Sequence, residues 1–168
     1  ITTFPFTDSR STVFATTASD DPIFPCGSYD TGSESIWYVF TPDADSTLQA
    51  NTFTSDYDTM LALWSGSRGA LDNVACNDQA GGNQSQINTV VEAGVTYYLE
   101  VAGYIASTPN GGDLNLAVDL EEILYPDIDV STDSLEATIP EESILPASFV
   151  ISNTGEGPLN YTIGLVEN

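Results

Sequence analysis

The side chains able to do chemistry in this chain are almost all carboxylates. Asp and Glu number 25, against Arg10 and Arg68, with no lysine and no histidine, for a formal charge of -23. Without His or Lys, the Ser-His-Asp, Cys-His and Ser-Lys nucleophile systems cannot be assembled. Imidazole-bound zinc is excluded on the same ground. Carboxylate chemistry and hard cations remain. Asp30-Thr31-Gly32 spells the triplet of aspartic proteases, and Asp58-Thr59-Met60 is its nearest echo. Those enzymes need two carboxylates face to face. Here Ser28-Tyr29 precedes the triplet instead of an apolar strand, so it reads as a turn.

Calcium is the stronger expectation. The ion takes about six to eight oxygens from carboxylates, amide side chains and backbone carbonyls, usually on loops. Three acidic stretches offer them: Asp20 with Asp21, Asp56 with Asp58, and Asn77 with Asp78. None has EF-hand spacing. Each has a structural alternative, Asp58 as a strand cap on backbone N–H groups, and Asp56 and Asp78 as solvated loop acids.

Cys26 and Cys76 are the only cysteines. In a Ser/Thr-rich chain of secreted character they most simply form one disulfide; two buried thiols are the alternative. Asn83-Gln84-Ser85 and Asn160-Tyr161-Thr162 are N-glycosylation sequons. Tyr29, Tyr57, Tyr97, Tyr98 and Tyr104, with Trp37 and Trp64, could form a platform for a sugar or a protein. Core packing is expected for Trp37, Trp64 and Tyr97, and exposure for Tyr98 and Tyr104.

These groups need a scaffold, and the composition supplies one. Apolar residues make up 41% and aromatics 10% of the 168 residues, which supports a folded core and argues against disorder. The length suits one large domain, or a domain plus a fragment. No apolar run approaches the roughly 18 residues of a membrane span. The charge disfavours nucleic acid and anionic lipid as partners. The opening ITTFPFTDSR has neither a basic nor an apolar leader segment and reads as a mature start.

Strand signals follow in order. Ser11–Thr16 is expected as an edge strand. Ile36, Tyr38 and Phe40 alternate until Pro42 ends the run. Thr47–Thr54 is a weaker strand. Met60–Trp64 is apolar on both faces, as a central strand between two layers should be. Gln86–Val91 and Thr96–Val101 follow, and Asn110-Gly111-Gly112 reads as a hairpin turn. From Asp113 to Leu120, Leu114, Leu116, Val118 and Leu120 alternate with polar residues. No stretch carries a helical period, so the expectation is all-β: an antiparallel, jelly-roll-like β-sandwich over 1–122. Residues 123–126 read as a linker. Over 127–168 the alternation of Ile128 with Val130, of Leu135, Ala137 and Ile139, of Phe149 with Ile151, and of Leu159, Tyr161, Ile163 and Leu165 gives about four strands around a Ser152–Pro158 turn. A closed Ig-type sandwich needs about seven.

The phrases SIWYVFTP, SDYDTMLALWSG, ACNDQAGG, AGVTYYLEVAGY and GGDLNLAV together resemble the bacterial pre-peptidase C-terminal domain, over about residues 1–120. The later SNTGEGP turn, followed by a Leu-x-Tyr strand, resembles the opening half of Ig-like modules of the hydin and abnormal-spindle type. The first resemblance implies a secreted, non-catalytic accessory module and transfers no catalytic residue. The expected function is therefore structural or adhesive, at the cell surface or outside the cell. Its partners are expected to be further copies of itself, another extracellular protein or a polysaccharide. A self-assembling filament completed by strand exchange is one form of this, and a binding or secretion-assisting appendage of a larger secreted peptidase is the other.

Overall fold

The computed structural model describes residues 1–27, 32–104, 111–131 and 148–162. The chain divides into two compact units, Ile1–Glu122 and Ile123–Asn168. Among the described residues none is helical, and so no helix is long and apolar enough to cross a membrane.

The first unit has eight strands: β1 (Phe6–Ser11), β2 (Ser33–Phe40), β3 (Ser46–Asn51), β4 (Thr59–Ser67), β5 (Ala70–Asn77), β6 (Gln86–Val91), β7 (Tyr97–Gly103) and β8 (Asp113–Glu122). They form two four-stranded sheets, ordered β1-β8-β3-β6 and β2-β7-β4-β5. Every pairing is antiparallel. We refer to these as the first and second sheets.

Alternation explains the first sheet. Leu48 and Ala50 of β3, Ile87 and Val91 of β6, and Leu114, Leu116 and Val118 of β8 are buried. They meet Leu61, Leu63, Tyr97, Leu99 and Val101 of the second sheet in one core. Each Leu, Ile and Val among them contributes about 1.5–3 kcal/mol on burial. The two edge strands β1 and β2 are tied across the sheets, since Tyr38 donates its hydroxyl to Asp8 at 2.6 Å. Arg10 pairs with the same carboxylate.

Three expectations need correction. The first strand lies at Phe6–Ser11 and not at Ser11–Thr16, because Thr12 turns away to bond Gly112 through backbone and side chain. Strand β5 carries no clean alternation and was not expected. The clue was its hairpin: Arg68-Gly69 is a two-residue turn between paired Ser67 and Ala70, with Gly69 at φ 84°, a conformation glycine adopts without penalty. Finally, Gly111-Gly112 does not close a hairpin. Strands β7 and β8 lie in different sheets, so this connection crosses the sandwich; Asn110 is outside the described residues.

The second unit contains β9 (Ile128–Val130) and β10 (Ile151–Asn153), paired antiparallel. Asn153 organises the turn that follows. Its Oδ1 accepts from the N–H groups of Asp127 and Gly155, and its Nδ2 donates to the Gly157 carbonyl at 2.6 Å. The strand expected around Leu135–Ile139 lies outside the described residues, as do Ile163 and Leu165 of the last expected strand; its first half, Leu159–Thr162, is described and is not a strand.

Candidate functional site

The outer face of the second sheet is apolar where solvent would be expected. Met60, Ala62 and Trp64 of β4 and Ala102 of β7 are buried there. They are covered by residues 12–27, between β1 and β2, which cross this face as a strap. Phe24 of the strap is fully buried and meets Trp64 edge-on, with ring centroids 6.3 Å apart. A disulfide joins Cys26 to Cys76 of β5, fixing the strap covalently. Gly32 returns the chain to β2 at φ 69°. A Cβ there would stand 2.9 Å from the Met60 methyl and would also collide with Ala102.

Between strap and sheet lies a cavity of about 370 Å³. Its walls include Trp37, Leu71 and Tyr98 from the sheet and Pro22 from the strap. Its rim carries Asp20, Asp21 and Arg68. Arg68 grips Asp20 bidentately, Nε at 2.6 Å and Nη2 at 2.7 Å, and this contact holds the Asp20 carboxyl below its usual range. Asp21 Oδ2 accepts from the Ser35 hydroxyl at 2.8 Å and from the Ala18 N–H at 2.9 Å.

On the same face sits Glu100, the register neighbour of Trp37 across β2 and β7. It is fully buried. Its Oε2 accepts from Trp64 Nε1 at 2.9 Å, and its Oε1 has no hydrogen-bond partner among the described residues. Burial, with the charge of Asp21 second, pushes the carboxyl up to about 9, against the opposing Trp64 bond. Glu100 therefore holds a proton at neutral pH. Sequence reasoning passed over it because one Glu inside the YYLEVAG strand looks like an ordinary outward-facing residue. The signal was the apolar company on both sides.

A second polar cluster sits at the loop end of the sandwich. Glu34, at φ 53°, packs its carboxylate so closely on Gly111 that no Cβ fits there. Tyr57 is buried beside it. Burial, with help from the Glu34 charge, pushes its hydroxyl up to about 12.

The six residues proposed for calcium fall in separate places. Asp20 and Asp21 stand at the cavity rim. Asp56 caps β8, its Oδ1 accepting the Asp113 N–H at 2.7 Å. Asn77 Oδ1 accepts the Gln86 N–H at 3.1 Å. Asp58 and Asp78 are neighbours, for burial first and the Asp58 charge second raise the Asp78 carboxyl. Among the described residues no three Asp, Glu, Cys or His side chains converge as a metal site. Asn83 is exposed, whereas the Ser85 hydroxyl of its sequon is buried and bonds the Thr59 and Asp78 carbonyls. Asn160 is exposed in the second unit. Asp30 and Tyr29 lie outside the described residues.

No protein-family model matches the chain, and no curated protein does. Among the solved structures similar to the chain at low identity are two. One is the pre-peptidase C-terminal domain of a collagenase from Bacillus anthracis, 19% identical with a TM-score of 0.46, covering 71% of this chain and 91% of that one. The other is PliG from Aeromonas hydrophila, a periplasmic inhibitor of g-type lysozyme, 18% identical with a TM-score of 0.41, covering 69% of this chain and 83% of that one.

The aromatic assignments divide. Tyr97 and Trp64 are buried as expected, though Trp64 packs under the strap and not between the sheets. Trp37 is half-buried and lines the cavity. Tyr98 and Tyr104 are half-buried, not exposed, because the strap covers their face.

Proposed function

We propose that the first unit is a non-catalytic extracellular binding module, and that its ligand enters the cavity beneath the strap. One observation carries this: a pre-shaped apolar hollow, walled by Trp37, Tyr98 and Leu71 and rimmed by carboxylates. Ligand sites are typically concave, mostly apolar and edged by a few polar groups. The missing His and Lys argue against nucleophilic catalysis. The disulfide supports an oxidising compartment. One form of this reading is a substrate-binding or secretion-assisting appendage of a larger secreted peptidase.

The test is a screen of small charged and neutral compounds by ligand-observed NMR, repeated on Leu71→Trp, which fills the cavity. Expected are hits that vanish in the variant. Hits unaffected by it would place binding elsewhere and sink the reading.

A second reading, self-association through the second unit by strand addition, is favoured by the exposure of Ile128, Val130, Phe149 and Val150 on and beside β9 and β10. Analytical ultracentrifugation across a concentration series decides it; a monomer throughout removes it. Calcium belongs to the same proposal, narrowed to Asp58 and Asp78, where a cation would relieve the crowding of two carboxylates and meet the buried Asp78 Oδ1, which has no hydrogen-bond partner among the described residues. Excess chelator is expected to lower the melting temperature; an unchanged curve removes calcium.

A further inference from the structure

We propose that the cavity beneath the strap accepts an organic cation, an ammonium or guanidinium head on a short apolar stem. This rests on the reading of that cavity as the binding site and names the chemistry it selects.

The walls suit the stem and the head alike. Trp37 and Tyr98 present aromatic rings, and Leu71 and Pro22 complete an apolar lining. Aromatic faces attract cations through their negative quadrupole, most strongly where water is displaced. The volume of about 370 Å³ lies toward the small end of ligand sites, which run from about 300 to 1,000 Å³. It holds a head group and its stem, not a folded polymer.

The polar groups offer acceptors and almost no available donors. Both bonds to Asp21 fall on Oδ2, and Oδ1 receives none from the described residues. The Ser35 hydroxyl is engaged with Asp21, and Arg68 with Asp20. An anion arriving here would meet two aspartates and no unengaged cation. A positive head meets a carboxylate oxygen that has no hydrogen bond from the described residues, and two rings. On the rim, the Arg68 guanidinium already pairs with the Asp20 carboxylate. At longer range, a chain of formal charge -23 concentrates cations at its surface and repels anions.

The head group has two sources, a free small cation or a Lys or Arg side chain of a partner protein. Val13, Phe14 and Ile23 stand exposed on the strap, Phe14 at 95%, and would give a protein further contacts.

The experiment titrates the full chain with tetramethylammonium, N-acetyl-lysine methylamide and N-acetyl-arginine methylamide. Their neutral counterparts are tert-butanol and N-acetyl-norleucine methylamide. Readouts are tryptophan fluorescence and amide shifts at Ser35, Trp37 and Tyr98. At least one cation is expected to bind about tenfold tighter than its neutral counterpart. That preference should weaken in high salt and disappear in Asp21→Asn, which keeps an oxygen for Ser35 and Ala18. Trp37→Leu and Tyr98→Leu keep the wall apolar and should lose most of it as well, so the test survives if Asp21→Asn misfolds. Tighter binding of the amides than of tetramethylammonium assigns the head to a partner's side chain; the reverse assigns it to a free cation. Equal affinity for cation and neutral counterpart overturns the cation and leaves the cavity reading standing. No binding by either up to about 10 mM overturns both.

Discussion

The two outer faces of the sandwich are built from the same kind of strand and meet opposite fates. On the first sheet, Gln49 of β3, Gln86, Asn88 and Val90 of β6, and Asp113, Asp119 and Glu121 of β8 face solvent. On the second, Met60, Ala62, Trp64 and Ala102 lie at 3% exposure or less. A strand buried on one side needs to alternate; a strand buried on both must be apolar throughout. Strand β4 is the second kind, and its outer side chains had to be matched by a cover. The strap is that cover. A cover makes a cavity possible where a bare polar face cannot hold one of the same character.

Breaking the cover should therefore cost far more than altering the bare face. The largest effect is expected from Cys26→Ser with Cys76→Ser. The bond joins residues 50 apart, and loop-closure entropy at that length is worth about 4 kcal/mol, read as a fall in urea-unfolding free energy. A loss under about 1 kcal/mol would mean the strap is held mainly by packing. Next comes Phe24→Ala, with about 3 kcal/mol lost from emptying a fully buried site. As a comparison, Asn88→Ala on the open face should stay within about 0.5 kcal/mol.

The third prediction concerns pH. Glu100 has a folded pKa raised to about 9, so the folded state binds a proton that the unfolded state releases near the ordinary glutamate range. Its stabilising share is complete below that range and is lost as pH rises toward about 9. Melting temperatures measured between these limits should fall more steeply with pH in the parent than in Glu100→Gln. Parallel curves would show that Glu100 is ionised in the fold.

The smallest effect is expected from Arg68→Ala. Its pair with Asp20 is exposed, and such pairs add little to global stability. Hydrogen exchange should nevertheless quicken at residues 18–21 and nowhere on the first sheet. Uniform protection would show that the ion pair does not restrain the strap.

The sandwich was legible because its signals are local. Alternation at Leu114, Leu116 and Val118 and the double-sided run at Met60–Trp64 each report their own surroundings. The cavity was not legible, because it depends on which loop lies over which face. Nothing in TTASDDPIFPC says that it folds onto Trp37 and Trp64. The pairing of Cys26 with Cys76 linked the strap to the strand after Trp64, but β5 itself was unseen, its alternation blurred by Asp72, Asn73 and Asn77. Glu100 was hidden for the same reason: its neighbours along the chain are visible in sequence, and its roof is not. Calcium ligands were expected from three acidic loops, and sequence alone does not say which of those oxygens lie near one another, as Asp58 and Asp78 do.

The strap is fastened at two points of different nature. Cys26 is a covalent anchor indifferent to dissolved ions, while Asp20 and Arg68 form a clasp that counterions loosen, since at 1 M salt the screening length is about 3 Å. High salt is therefore expected to weaken the clasp and leave the disulfide intact, and reductant to do the reverse.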